Sequence, residues 1–195
     1  MEKRGGFLKL LESVLRLNGG QMDATALSAL CGLSRPTVLT YLEVLELTHV
    51  AAFVRRYSGG AKRELVRQPK IYGFDTGFVA FACGWPELRP DDCGILWEHL
   101  VLDRLLSDPA EPKVMYWRDK DQHEIDFVIP AGRGSADAIE CKWDASRFDP
   151  KNLQIFRSYY PAGRNFVIAT NIPKPHARQV GGWPVTFTGL DDLTL

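Results

Sequence analysis

The chain has 195 residues, 45% hydrophobic and 25% charged, with 24 Lys and Arg balancing 24 Asp and Glu. This is ordinary globular composition, enough for one or two domains, and it excludes a disordered, collagen-like or uniformly polybasic chain. No apolar run approaches the length of a membrane-spanning helix, and the polar, glycine-containing N-terminus lacks a signal-peptide shape, so a soluble cytoplasmic protein is expected. The zero net charge hides an asymmetry: residues 1–72 hold 11 Lys and Arg against 6 Asp and Glu, and the remainder 13 against 18. The basic part reads as a binder and the acidic part as a metal site. Cys31, Cys83, Cys93 and Cys141 have no zinc or CxxC spacing and read as reduced core residues.

Residues 5–18 are predicted as an amphipathic helix, with Phe7, Leu8, Leu11, Val14, Leu15 and Leu17 as its apolar stripe and Asn18-Gly19-Gly20 as its end. Asp23 caps a short second helix over residues 25–30. Cys31-Gly32-Leu33-Ser34 turns the chain, and Ser34 caps a third helix with Pro36 in its first turn. Small Ser28, turn Gly32 and apolar Val38 have the spacing of a helix-turn-helix. The third helix then offers Arg35, Thr37, Thr40 and Tyr41 to base edges or phosphates of DNA. Residues 48–57 are β-rich, Ser58-Gly59-Gly60 turns, and residues 62–66 begin a returning strand. This reads as a wing, with Arg55, Arg56, Lys62, Arg63, Arg67 and Lys70 clustered around it. The alternative is a module that meets an acidic protein partner or mediates oligomerisation.

Residues 1–72 are thus expected to form a winged helix-turn-helix domain, and residues 73–195 a second domain. Residues 69–77 join them as a short strand running into a helix capped by Asp75. A helix over residues 94–107 places Glu98 in the middle of an apolar arc with Trp97, Val101, Leu105, Leu102, Ile95 and Leu106. A carboxylate there needs a partner. His99 and Asp103 are assigned to its exposed side. A strand over 114–118, with Trp117 in the core, precedes Glu124-Ile-Asp-Phe-Val-Ile129. Pro130, Gly132, Gly134 and Ser135 break the pattern before Ala138-Ile-Glu-Cys-Lys-Trp143, which makes a β-hairpin. His123, beside it, reads as a surface residue.

Strand alternation puts Glu140 and Lys142 on one face. If Asp126 shares it, two carboxylates converge on one ammonium. Carboxylates about 4 Å apart repel by roughly 1–4 kcal/mol, and Mg²⁺ or Mn²⁺ would relieve that cost. Lys142 would then orient a water or stabilise charge on a phosphate. The alternative is a pair of half-buried strands with solvated or salt-bridged acids. A helix over 150–160 offers Lys151, Gln154 and Arg157 to nucleic acid, and strands follow at 166–170 and 185–188. Helix, three strands, helix, strand is the order of an α/β/α core around a mixed sheet.

Glu98 in a helix, Asp126 ending Glu-Ile-Asp, and Glu140-Cys141-Lys142 resemble the PD-(D/E)xK nuclease superfamily. With the winged helix, the junction Pro69-Lys-Ile-Tyr-Gly-Phe-Asp-Thr-Gly77 and Tyr116-Trp117-Arg118, the chain resembles the C-terminal half of a family of prokaryotic AAA-type ATPases. The resemblance implies a restriction-endonuclease-like fold, with Glu98, Asp126 and Glu140 binding the metal and Lys142 assisting the water. No GxxxxGK[ST] motif occurs, so the ATPase part is expected to be absent, with Met1 a truncation point or the start of a remnant gene. Two functions follow: a metal-dependent DNA nuclease, or a catalytically silent domain for targeting or assembly on DNA or a protein.

Overall fold

The computed structural model describes residues 2–59, 68–132 and 134–194, and the chain divides into two compact units. The first is drawn from Met1–Val54 and Gln68–Arg89. It contains helices α1 (Glu2–Arg16), α2 (Ala24–Cys31), α3 (Arg35–Leu47) and α4 (Thr76–Cys83). Its strands are β1 (Gly20–Gln21), the first four residues of β2 (Ala51–Arg56), and β3 (Lys70–Gly73). The Asp23 carboxylate accepts from the Thr25 and Ala26 amides, and the Ser34 hydroxyl from the Thr37 amide, so both expected caps are in place. Gly32 ends α2 at φ +65°, a conformation that favours a residue without Cβ. Leu10, Val14, Leu27, Val38, Leu42, Leu45 and Ile71 close the core of this unit.

β3 pairs antiparallel with both β1 and β2. β1 was not legible, because two residues carry no period. Lys70, expected in the basic cluster, is buried on β3. The returning strand over 62–66, with Lys62, Arg63 and Arg67, lies outside the described residues.

The second unit is mixed α/β. Its sheet takes the last two residues of β2, then β4 (Met115–Arg118), β5 (Glu124–Pro130), β6 (Ala136–Lys142), β7 (Asn165–Ala169), β9 (Trp183–Thr188) and β8 (His176–Val180), in that spatial order. β2–β4, β6–β7 and β7–β9 are parallel; β4–β5, β5–β6 and β8–β9 are antiparallel. The expected hairpin is therefore present. β8 escaped sequence reading because its residues are almost all exposed and show no apolar alternation, as suits an edge strand. α5 (Pro90–Leu106) packs against β6, and the Trp97 indole donates to the Ile168 carbonyl of β7 at 2.9 Å. α6 (Lys151–Tyr159) sends Leu153 and Phe156 into a core with Tyr57, Trp117, Val167 and Phe187. Among the described residues no helix is long and apolar enough to cross a membrane.

His99 and Arg157 also lie opposite to expectation. His99 is fully buried rather than exposed, with Nε2 3.6 Å from Asp103 Oδ1; α5 is covered on more than its most apolar arc. Arg157, offered to nucleic acid by sequence, is 1% exposed. Its guanidinium donates to the Asn165 side-chain oxygen at 2.6 Å and to the carbonyls of Ala136, Tyr160, Ala162 and Arg164 at 2.6–3.0 Å. All three guanidinium nitrogens are thereby spent on one side-chain oxygen and four backbone carbonyls. Arg157→Met should destabilise the fold by about 3–5 kcal/mol, because it orphans several buried acceptors together. Urea unfolding of variant and wild type measures this loss, and a change below about 1 kcal/mol would refute it.

Candidate active site

The hairpin register decides what meets what. Phe127 faces Ile139 across the β5–β6 pair, so Asp126 falls beside Glu140 and Cys141. The Cys141 amide donates to Asp126 Oδ2 at 2.7 Å, which anchors that carboxylate to the neighbouring strand. Lys142 Nζ lies 2.6 Å from Glu140 Oε2 and 3.5 Å from Asp126 Oδ2, and it also donates to the Cys141 carbonyl at 3.1 Å. The two carboxylates and the ammonium inferred from strand alternation thus converge.

Glu140 is 3% exposed, and its second oxygen, Oε1, is buried with no hydrogen-bond partner among the described residues. Such an orphaned acceptor costs about 1–3 kcal/mol, more when charged. Burial, and then the Asp126 charge, push the Glu140 carboxyl up to about 8 against the pull of Lys142, and Glu98 adds to the rise. Burial alone would lower the Lys142 ammonium, but Asp126 and Glu140 outweigh it and raise its pKa. Glu140 accordingly holds its proton near neutrality while Lys142 stays charged. The Cys141 thiol is pushed well up by burial, with Asp126 and Glu98 adding to it, which makes it a packed side chain rather than a nucleophile.

Glu98 sits half-buried on α5, within electrostatic reach of both Glu140 and Cys141. Among the described residues no group of three or more His, Cys, Asp or Glu is gathered closely enough to cage a metal ion. Asp126 and Glu140 are the acidic pair drawn together by Lys142. His123, expected at the surface, is partly buried and its Nδ1 pairs with Asp119 Oδ2 at 2.8 Å. Sequence reading missed Asp137, a buried carboxylate that takes the Arg164 amide at 2.7 Å and its guanidinium at 2.6 and 2.9 Å. Its position on β6, in phase with the apolar Ile139, was the available signal.

The residues expected to meet DNA divide differently. Arg35 is exposed at the start of α3. Thr37 is tied to the Ser34 cap through both its amide and its hydroxyl, and Thr40 returns its hydroxyl to the Pro36 carbonyl. Tyr41 packs edge-on against Phe7, with ring centroids 5.2 Å apart. Arg55 is exposed and Arg56 half-buried at the end of β2. Lys62 and Arg63 lie outside the described residues. On α6, Lys151 and Gln154 are exposed.

Residues 93–180, which include Glu98, Asp126, Glu140 and Lys142, match the model of a domain of unknown function, DUF4143. Residues 2–89, which include the α2–α3 turn, match that of a second domain of unknown function, DUF8612. No curated protein matches the chain. Among solved structures, a half-complex from the tetradecameric assembly of Thermococcus gammatolerans McrB AAA+ hexamers with bound McrC is similar at 9% identity and a TM-score of 0.35, over 95% of this chain and 72% of the matched one. A likeness that distant carries no argument about fold or function.

The Glu140 carboxyl sets a pH signature. An ordinary carboxyl ionises near 4.5, this one at about 8 in the fold. Between those values the folded chain keeps a proton that the unfolded chain has lost. Its contribution to stability is full below about 4.5 and is lost as pH rises through about 8. Glu140→Gln keeps an oxygen for Lys142 and removes the titration. The variant should therefore gain on wild type as pH is raised from about 5 to about 9, as read by urea unfolding at each pH. A stability difference that stays flat across that range would contradict this origin.

Proposed function

We propose that the chain is a DNA-binding protein with a divalent-metal-dependent phosphodiesterase site of the PD-(D/E)xK type. In this reading the unit carrying Glu140 has a restriction-endonuclease-like fold, and the α2–α3 turn belongs to a winged helix that meets DNA. The observation that carries it is Glu140 Oε1, a buried carboxylate oxygen without a partner among the described residues. Asp126 and Lys142 lie beside the same carboxylate.

The donor set fits a hard cation. Mg²⁺ and Mn²⁺ take carboxylate oxygen and keep several waters, so two acidic ligands suffice without a full protein cage. Asp126 and Glu140 would hold the ion, and Glu98 would add negative charge behind them. A bound cation supplies Lewis-acid chemistry, lowering the pKa of a water and neutralising charge on a phosphate. Lys142, already charged, donates hydrogen bonds toward a phosphate oxygen or orients the attacking water. Asp126 is held in place through Oδ2 by the Cys141 amide. The resemblance of the junction and hairpin motifs supports a place beside an AAA-type ATPase.

One observation favours a second reading. The Lys142 ammonium already bridges both carboxylates, so the cluster has an internal counter-charge, as a silent assembly domain would require. Calorimetric titration of Mn²⁺ and Mg²⁺ into wild type and Asp126→Ala separates the two. The nuclease reading expects binding that weakens about 10- to 100-fold or more in the variant, with metal-dependent cleavage of branched or linear DNA by wild type alone. No binding at millimolar metal, even with DNA present, sinks it and leaves the silent domain.

DNA contact is tested apart from catalysis. Arg35→Ala should weaken duplex binding and flatten the slope of log affinity against log salt by about 1, measured by fluorescence anisotropy. Affinity that is absent, or independent of salt, would assign the α2–α3 module to protein contacts.

A further inference from the structure

A second feature lies in the first unit and is independent of the carboxylate cluster. α4 buries Val79 and Ala82 and turns its aromatic residues outward: Phe81 is 84% exposed and Phe78 53%. Phe74 packs against Phe78 with ring centroids 4.7 Å apart and planes tilted by 45°, and Leu8 of α1 is 54% exposed in the same patch. Scattered apolar side chains at a surface are normal, but a contiguous group of this kind marks an interaction site.

The shape of the patch identifies what fits it. A hollow of about 480 Å³ lies between α1 and α4, walled by Leu8, Leu11, Leu15, Phe78 and Phe81. A further hollow of about 370 Å³ runs along the other flank of the same phenylalanines, over Asp75 and Gly77. Phe78 and Phe81 thus form a ridge with a hollow on either side. A surface that carries both a ridge and the groove to receive it is self-complementary, which is the requirement for a two-fold interface. The rim charges agree. Glu12 and Arg16, 2.9 Å apart on successive turns of α1, give one acid and one base, so a two-fold axis can set each against its opposite in the second copy.

We propose that this face is the interface of a two-fold dimer of the chain, with Phe81 of each copy seated in the α1–α4 hollow of the other. Because Phe81 projects from the surface, changing it leaves the core of the monomer untouched. Sedimentation equilibrium of the full chain should give a dimer that dissociates on dilution. Phe81→Glu should raise the dissociation constant roughly 30-fold or more, as loss of a central aromatic anchor does, with an unaltered circular-dichroism melt. Leu8→Lys, in the wall of the hollow, should do the same. Mixing the two variants should restore association, since one seat is then native and the other pairs Glu with Lys. A wild type that stays monomeric at every concentration, a dimer that survives Phe81→Glu, or a mixture that fails to associate would each overturn the proposal.

Discussion

The Arg157 guanidinium fixes the second unit at the point where its chain path is least regular. It gathers the carbonyls of Ala136, Tyr160, Ala162 and Arg164, and so binds the start of β6 to the end of α6 and the approach to β7. A buried cation tolerates loss of few of these acceptors, because its desolvation is offset only while nearly all its donors are used. Asp137 fastens the same loop from the other side through Arg164. Gly163 makes the close approach possible: at φ +125° a Cβ there would collide with the Ala136 backbone. The first half of β6 is therefore over-determined, by one cation, one anion and one glycine acting on the same few residues.

The other end of that strand is arranged in the opposite way. Glu140 and Lys142 follow Asp137 by three and five positions, yet here one Glu140 oxygen lacks a partner among the described residues and the Glu140 proton is held against its ordinary tendency to leave. Electrostatic strain of this kind persists only where surrounding structure prevents relief by movement. Rigidity at Ala136 and Asp137, propagated along β6 by its pairing with β5 and β7, supplies that restraint. The Asp126 anchor on the Cys141 amide supplies it from the neighbouring strand. Local rules obeyed at one end of a strand and broken at the other are the pattern expected where a fold carries a site.

What could be read from sequence followed the strength of local rules. The Asp23 and Ser34 caps, the hairpin and the helix carrying Glu98 were legible because caps, turns and periodicity act within a few residues. The convergence of Asp126, Glu140 and Lys142 was legible for the same reason: alternation and a short hairpin leave little choice of register. Arg157 was misread because an arginine on an amphipathic helix has the same local signature whether it meets solvent or loop carbonyls. Its acceptors come from two separate stretches of chain, Ala136 and residues 160–165. His99 failed similarly, since a helical wheel shows polarity and not what packs beside it. β8, exposed and unpatterned, is set by its pairing with β9 rather than by its own residues.

The arrangement of Lys142 bears on whether the cluster is merely structural. A salt bridge optimised for stability would use both carboxylate oxygens of its acid, because a half-satisfied buried acid is worse than an apolar pair of the same volume. Lys142 spends donors on Glu140 Oε2 and the Cys141 carbonyl and stands 3.5 Å from Asp126, so among the described residues Glu140 Oε1 is left over. Asp126, likewise, has one oxygen committed to the Cys141 amide. The geometry therefore satisfies the ammonium more fully than the two carboxyl groups. What remains unmet among the described residues is a hydrogen-bond partner for Glu140 Oε1, a cost that a purely structural cluster would have had no reason to keep.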